Sequence, residues 1–293
     1  MRTITEYAYA KLNLSLDVIS KMPDGYHEMR MVMQTVSLCD DVKIAVKDGE
    51  SSVRVRTDKP FLPGDEGNIA GRAARIFLSA ADISDFDIDI IINKRIPVCA
   101  GLGGGSADAA AVLRGLNRIF CTEFSQADLE SMGLSAGADV PFCISGGTSL
   151  AEGKGEILTS LPPLPDCFIV ICKPQFSIST PELFSRIKCD AIKLRPDTDG
   201  ILSALKDADF AGIVRRLYNV FEDVLGQKRE TIDVIKSVLY DHSSRGAAMS
   251  GTGSAVFGIF EKKEDAEAAY SQLSTLYSEC FITKNVPMLA IEV

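Results

Sequence analysis

The stretch Pro97-Val-Cys-Ala-Gly-Leu-Gly-Gly-Gly-Ser-Ala107 places four glycines within the six positions 101–106. Glycine has no Cβ and accepts positive φ, so successive backbone N–H groups of such a loop can converge on one point. A helix pattern over Ala107–Phe120 follows at once, and it directs free N-terminal N–H groups and its dipole to the same point. The sequence therefore predicts a phosphate-binding loop whose Ser106 hydroxyl is available to a phosphate oxygen or to Mg²⁺.

Two better-known phosphate loops do not match this stretch. A P-loop requires G-x-x-x-x-G-K-[ST], but no lysine follows these glycines, and the Gly153-Lys154 pair is followed by Gly155. A dinucleotide-binding loop requires Gly or Ala at the position that Ser106 occupies. A tight strand–helix connection is the remaining alternative, and it requires only one or two glycines.

Composition excludes several classes of protein. The chain has 293 residues, of which 46% are apolar and 24% charged, and this usage is typical of one or two globular domains. A net charge of −9 argues against a nucleic-acid partner. Eight cysteines without a C-x-x-C pair, together with two histidines, argue against zinc and favour buried thiols in a reducing compartment. No signal peptide and no long apolar run is seen, so we expect a cytoplasmic chain without a membrane partner.

The hydrophobic pattern predicts an α+β fold rather than a doubly wound sheet, because strands and helices do not alternate regularly. Residues 1–58 read mostly as strands, with a break near Lys11. Short strands are predicted over Phe142–Ile144 and, at the end of the chain, over Met288–Glu292. The proline-rich stretch 161–165 is a candidate boundary. It divides the chain into an N-terminal nucleotide-binding domain and a C-terminal domain, 1–160 and 161–293.

Other motifs surround the glycine stretch in sequence order: Ala10-Lys11-Leu12-Asn13-Leu14, Asp24-Gly25-Tyr26-His27, Gly137-Ala138-Asp139-Val140-Pro141-Phe142 and Ser250-Gly-Thr-Gly-Ser254. Each also has a purely structural interpretation. Lys11 could lie at a solvated strand edge, and Asp139 could cap a helix. The second glycine loop could be a β-turn or bulge. The apolar surroundings of Asp139 nevertheless predict a partly desolvated carboxylate.

Together these motifs resemble the GHMP small-molecule kinases. Pro97–Ala107 resembles the P-x-x-x-G-L-G-S-S-A loop of that family, with Gly104-Gly105 where many members have Ser or Gly followed by Ser. The Gly-Gly-Gly-Ser form, D-G-Y-H and G-A-D-V-P are similar to the members that phosphorylate 4-diphosphocytidyl-2-C-methyl-D-erythritol. The last two motifs separate those members from homoserine, mevalonate and galactose kinases. Five motifs in order over residues 10–255 make the resemblance specific.

The resemblance implies a two-domain α+β fold, with an N-terminal part like the second domain of ribosomal protein S5 and a ferredoxin-like C-terminal part. It implies ATP-dependent phosphorylation of the 2-hydroxyl of the cytidine substrate in non-mevalonate isoprenoid biosynthesis. ATP and Mg²⁺ are then required, and a monomer or weak homodimer is expected. Another GHMP kinase of homoserine or mevalonate type, a related decarboxylase and a non-catalytic nucleotide-binding relative are the alternatives.

The same resemblance assigns roles to residues. Asp139 would orient the acceptor hydroxyl and take its proton, and Lys11 would lie beside it and stabilise developing charge. The substrate-binding residues implied are Asn13, Tyr26, His27, Thr180, Pro181 and Phe184. The nucleotide-binding residues implied are Asn68, Lys94, Pro97, Val98, Cys99, Ala100, Gly101, Leu102, Gly103, Gly104, Gly105, Ser106 and Ala107. Lys94, with Arg95, could equally be a solvated strand end.

Overall fold

The computed structural model describes residues 1–64 and 67–287, and it mixes sheets and helices as the pattern predicts. The strands are β1 Arg2–Lys21, β2 His27–Asp48, β3 Val53–Thr57, β4 Phe86–Asn93, β5 Thr148–Gly153, β6 Ile157–Ser160, β7 Phe168–Lys173, β8 Tyr218–Asn219, β9 Gly246–Met249, β10 Val256–Phe260 and β11 Glu279–Lys284. The helices are α1 Ile69–Ala80, α2 Gly104–Phe120, α3 Gln126–Ala136, α4 Val140–Ser145, α5 Thr180–Arg186, α6 Thr198–Lys206, α7 Phe210–Val214, α8 Arg229–Asp241 and α9 Lys263–Leu276.

The strands form two sheets. The larger has the order β3-β4-β2-β1-β8, with β5 beside β2 and β6 beside β5. The smaller is antiparallel, in the order β11-β7-β10-β9. The chain passes from one sheet to the other between β6 and β7, close to the predicted boundary. Strand β8 returns to pair in parallel with β1, however, so the division into 1–160 and 161–293 stays a prediction.

The predicted break near Lys11 is a β-bulge inside one long strand. Tyr9 pairs with Cys39 but Lys11 pairs with Thr35, so the register of β1 on β2 shifts between them. The Lys11 backbone N–H donates to the Leu102 carbonyl at 3.0 Å, outside the sheet. A bulge bends a strand and redirects a side chain. Here it brings Lys11 against the glycine loop.

Helices α1 and α2 pack over the larger sheet and complete its core. In β4 the alternate residues Ile88, Ile90 and Ile92 are fully buried. A Cβ on Gly115 of α2 would lie 2.5 Å from Ile44 Cδ1, so this glycine lets the helix approach the sheet closely. The close packing fixes the N-terminal end of α2, which carries the glycine loop.

Two predicted elements differ from the structure. Helix α2 begins at Gly104, three residues before the predicted start, so half of the glycine loop is its first turn. The strand predicted over Phe142–Ile144 is wrong, because these residues lie in α4, with Pro141 in its first turn. A short apolar run that is buried on all sides does not distinguish helix from strand. The predicted strand Met288–Glu292 lies outside the described residues.

The helices are too short or too polar for a membrane span. No helix within 1–64 and 67–287 is long and apolar enough to cross a membrane.

Candidate active site

A cavity of about 1460 Å³ opens between the glycine loops, the long strands β1 and β2, and α5. Residues from widely separated stretches meet on its wall. Those that the sequence singled out are Lys11, Asn13, Tyr26, His27, Cys99, Gly101, Gly103, Ser106, Asp139, Thr180, Pro181 and Phe184. The predicted catalytic, nucleotide-binding and substrate-binding motifs therefore converge on one space.

The first glycine loop requires its glycines for two separate reasons. Gly101 and Gly103 have φ of 77° and 69°, in the left-handed region that side chains disfavour. A Cβ on Gly101 would overlap the Ser250 carbonyl oxygen, and one on Gly103 would lie 2.9 Å from Lys11 Cγ. The first N–H groups of α2 have no partner within the helix, and Ser106 lies beside them on the cavity wall. This geometry suits an anionic phosphate.

The second glycine loop holds the first in place. The Ser250 hydroxyl donates to the Gly101 carbonyl at 2.9 Å and accepts from the Asn13 backbone N–H at 3.3 Å. The Ala255 N–H donates to the Ala100 carbonyl at 3.0 Å. Ser250 is fully buried, so these bonds are shielded from water. The second loop is therefore more than a surface turn.

We expect Gly101→Ala to lower the free energy of unfolding by about 3 kcal/mol, because left-handed strain adds to the overlap with Ser250. Gly25→Ala is the matched control, since Gly25 has φ of 89° but no atom lies within 4 Å of the position that a methyl group would take there. That control should lose only about 1 kcal/mol. Urea unfolding of both variants measures the difference. Equal losses would show that the second loop does not press on Gly101.

Lys11 and Asp139 form an ion pair in the cavity. Lys11 Nζ lies 3.8 Å from Asp139 Oδ2 and donates to Asn13 Oδ1 at 2.7 Å. The Lys11 side chain is 6% exposed and that of Asp139 is 34% exposed. Lys11 is therefore not a solvated strand-edge lysine. Asp139 precedes α4, but its side chain makes no capping hydrogen bond, so the carboxylate remains available to a ligand.

Aromatic rings line one end of the cavity. The His27 and Phe184 ring centres are 5.0 Å apart, and Phe184 packs edge-on against Phe221 at 4.9 Å. Burial and the nearby charge of Lys21 lower the pKa of His27, so its imidazole is neutral at pH 7. A neutral imidazole can donate from one nitrogen and accept at the other.

Tyr26 lies at the mouth of this end, where its ring is largely exposed. Lys154 Nζ lies 4.2 Å from the Tyr26 ring centre and pairs with Asp24 at 2.7 Å. On the facing wall, the Thr180 and Thr252 hydroxyls lie 2.9 Å apart and join α5 to the second glycine loop. Exposed and half-buried rings that line one cavity can pack against a flat heterocycle.

Comparison with known proteins agrees with this geometry. The GHMP kinases N terminal domain family matches residues 68–147, and the GHMP kinases C terminal family matches residues 201–279. The 4-diphosphocytidyl-2-C-methyl-D-erythritol kinase of Acetivibrio thermocellus is 43% identical over 98% of this chain and 100% of its own length. That of Lachnoclostridium phytofermentans is 42% identical over 98% of this chain and 100% of its own. This chain belongs to the 4-diphosphocytidyl-2-C-methyl-D-erythritol kinase family of GHMP kinases.

Solved structures show how far the GHMP fold extends. A crystal structure of a 4-(cytidine 5'-diphospho)-2C-methyl-D-erythritol kinase has a TM-score of 0.80, with 30% identity over 96% of this chain and 99% of that one. A homoserine kinase from Cytophaga hutchinsonii has a TM-score of 0.76 at 19% identity, covering 98% of this chain and 96% of that one. At that identity the second likeness shows the fold alone. The resemblance inferred from the motifs, and the GHMP kinase fold, are confirmed.

Two residues expected near the nucleotide lie off the cavity wall of this GHMP kinase. Asn68 caps α1, accepting from the Ala70 N–H and donating to the Pro63 carbonyl, each at 3.0 Å. Lys94 is buried, with Nζ 2.5 Å from Asp40 and 2.6 Å from Asp108, so it is not a solvated strand end. Nucleotide contact by Asn68 or Lys94 stays a prediction that this geometry does not support.

The remaining loop positions lie beneath the wall or at its edge. Ala100, Leu102 and Ala107 are at most 2% exposed and pack under the loop. Pro97 and Val98 lead into it, and Gly104 and Gly105 form the first turn of α2. These positions can offer backbone atoms to a phosphate, and not side chains.

Three cations on the wall, Lys21, Arg72 and Lys154, were missed by sequence reasoning. Arg72 of α1 donates to the Ala136 carbonyl and lines the cavity near Ser106. Lys154 lies in the turn between β5 and β6, at the aromatic end. The Gly-Lys-Gly sequence of that turn was a signal for Lys154. Arg72 had no local signal, because its place on the wall depends on how α1 packs in the folded chain.

Proposed function

We propose that this chain transfers the γ-phosphate of ATP to the 2-hydroxyl of 4-diphosphocytidyl-2-C-methyl-D-erythritol, giving the 2-phosphate and ADP. This is a step in non-mevalonate isoprenoid precursor biosynthesis. The observation that carries the proposal is one cavity with a phosphate loop, the Lys11–Asp139 pair and an aromatic clamp along its wall. These features suit an acceptor that carries a nucleoside at one end and an alcohol at the other.

The phosphate end binds and orients ATP. The backbone N–H groups at the start of α2 hold phosphate oxygens, and the helix dipole favours their negative charge. Phosphoryl transfer depends mainly on such positioning and on stabilisation of charge. Arg72 adds a guanidinium at the same end of the wall.

The residues at this end also suit Mg²⁺. No group of three or more His, Cys, Asp or Glu side chains placed to hold a metal occurs among the described residues. Mg²⁺ is usually held by substrate phosphates and waters with one or two protein ligands, and the Ser106 hydroxyl beside the α2 terminus fits that role. When bound with ATP, the ion supplies charge neutralisation at the phosphates.

The Lys11–Asp139 pair acts on the acceptor. Asp139 Oδ accepts a hydrogen bond from the hydroxyl, orients its oxygen and receives its proton as the bond to phosphorus forms. Lys11 lies between Asp139 and the glycine loop, because its stem packs on Gly103. Its ammonium therefore stabilises negative charge on the transferring group. Asn13 holds that ammonium in place through its Oδ1.

The aromatic end selects the acceptor. The cytosine ring packs between Tyr26 and Phe184, and the neutral His27 imidazole hydrogen-bonds its edge. Thr180 and Pro181 shape the same wall at the start of α5. Alcohols without a nucleoside gain nothing from this clamp, so it favours the cytidine substrate over smaller acceptors.

We expect His27→Ala to raise KM for the cytidine substrate about tenfold while KM for ATP changes less than about twofold. The variant loses the proposed hydrogen bond to cytosine and the ring contact with Phe184, and both losses weaken binding of the acceptor only. His242→Ala is the matched control, because His242 bonds Gln272 on an exposed helix and lies off the cavity wall. Steady-state kinetics with each substrate varied in turn measure both constants. A rise in KM for ATP instead would show that His27 acts on the nucleotide and would contradict its assignment to the acceptor.

The product identifies the reaction directly. Phosphorus NMR of the reaction mixture should show a new phosphomonoester that appears with ADP in equal amounts. Its carbon coupling should place it on the tertiary carbon of the methylerythritol. A phosphomonoester on another hydroxyl, or ADP formed without one, would contradict the proposal.

A further inference from the structure

A buried charged cluster lies behind the phosphate loop. We call Lys94, Asp40 and Asp108 the Lys94 cluster; their side chains are 4%, 0% and 6% exposed. Lys94 Nζ lies 2.5 Å from Asp40 Oδ2 and 2.6 Å from Asp108 Oδ2. Asp40 Oδ1 also accepts from the Ile96 N–H at 2.7 Å. One ammonium thus joins strand β2, the end of β4 and helix α2.

The cluster touches the loop from below. A Cβ on Gly104 would lie 3.4 Å from Lys94 Nζ, so the first residue of α2 rests over the ammonium. Asp108 follows four residues later and therefore lies on the same face of α2, one turn deeper. The position of this turn decides where its free N–H groups point.

The charges of the Lys94 cluster do not by themselves favour phosphate binding. Burial opposes the charged form of Lys94, but Asp108 and Asp40 outweigh it and raise the pKa of its ammonium. Burial raises the pKa of Asp108 despite the opposing charge of Lys94, and the two acidic side chains leave the one cation little net charge to offer a phosphate. In some proteins a buried ion pair fixes one arrangement of packed elements, and removing one partner leaves an uncompensated buried charge.

We propose that Lys94 is a positioning residue, which sets the first turn of α2 for nucleotide binding through Asp108 and Asp40 without touching the nucleotide. The inference rests on the proposed function only in that the loop binds ATP. It differs from direct contact, in which the Lys94 ammonium itself would reach the nucleotide.

Asp108→Asn separates the two roles because they predict different changes in the affinity for ATP. On direct contact, or on charge alone, the variant weakens the hold of residue 108 on the ammonium and adds no negative group, so ATP binding strengthens or stays unchanged. On positioning, the weaker bond from the ammonium to an amide oxygen loosens the first turn of α2. The dissociation constant for Mg-ATP should then rise about fivefold or more.

Arg95→Met is the matched control for removing a cation. Arg95 follows Lys94 directly, but its side chain is 53% exposed and pairs with Asp41. Calorimetric titration with Mg-ATP should give about a tenfold or greater weakening for Lys94→Met and less than about a twofold change for Arg95→Met. KM for the cytidine substrate should stay within about twofold in Asp108→Asn, since the cluster lies off the acceptor end.

Unchanged or tighter Mg-ATP binding by Asp108→Asn overturns the proposal. That variant keeps the side-chain shape, so its ATP affinity decides between the two roles even if Lys94→Met does not fold. An equal rise in both KM values would also overturn it, because a general loss of structure explains that result. A wild-type chain that binds Mg-ATP but leaves the cytidine substrate unphosphorylated overturns the proposed function, and the comparison of ATP affinities stays valid.

Discussion

We expect Asp139→Asn to lower kcat by about a thousandfold and to leave the dissociation constant for Mg-ATP within about twofold of wild type. Asparagine keeps the size of the side chain but cannot take the proton of the acceptor hydroxyl. The carboxylate makes no capping bond to α4, so little stability is lost with it. Single-turnover kinetics at saturating substrates measure the chemical step, and calorimetry measures ATP binding.

Asp48→Asn provides the control for the loss of one carboxylate. Asp48 is exposed at the end of β2, away from the cavity wall, and the variant should keep wild-type kcat. A wild-type kcat in Asp139→Asn would remove this carboxylate from the chemistry. A loss of ATP affinity alone would show that Asp139 acts on the nucleotide.

Lys11→Met is expected to lower kcat by about a hundredfold to a thousandfold. Methionine fills part of the space of the stem but removes the charge that faces Asp139 and the transferring phosphate. Lys11→Arg should not restore activity, because a planar guanidinium does not reproduce the compact charge that Lys11 Nζ places between Asp139 and Asn13. The measurement is kcat for both variants, with thermal unfolding to confirm the fold.

Lys43→Met tests whether loss of any lysine of the same sheet has this effect. Lys43 is exposed on β2 and absent from the cavity wall, so its variant should retain full kcat. If Lys11→Met kept kcat and only raised KM for the acceptor, Lys11 would bind substrate without stabilising the transferring group.

The glycine loop was predictable from sequence because its chemistry is local. Backbone geometry at Gly101 and Gly103 depends on the residues themselves, and α2 follows directly in the chain. The Lys11–Asp139 pair joins residues far apart in sequence, and periodicity does not show such a contact. The family resemblance supplied it, and the structure shows it as an ion pair.

Other features depended on tertiary contacts that no local pattern carries. Lys94 looked like a residue at a strand end, but its partners Asp40 and Asp108 come from β2 and α2. The segment Phe142–Ile144 is too short for its apolar run to reveal a helix. Arg72 is an ordinary surface cation in sequence, and only the folded chain places it on the cavity wall.

The most direct test of the proposed reaction is ADP release with Mg-ATP and three acceptors offered in parallel. These are 4-diphosphocytidyl-2-C-methyl-D-erythritol, homoserine and mevalonate. We predict turnover with the cytidine substrate alone, because Tyr26, His27 and Phe184 have no partner in the other two. Turnover with homoserine or mevalonate, or none with the cytidine substrate while Mg-ATP still binds, would contradict it.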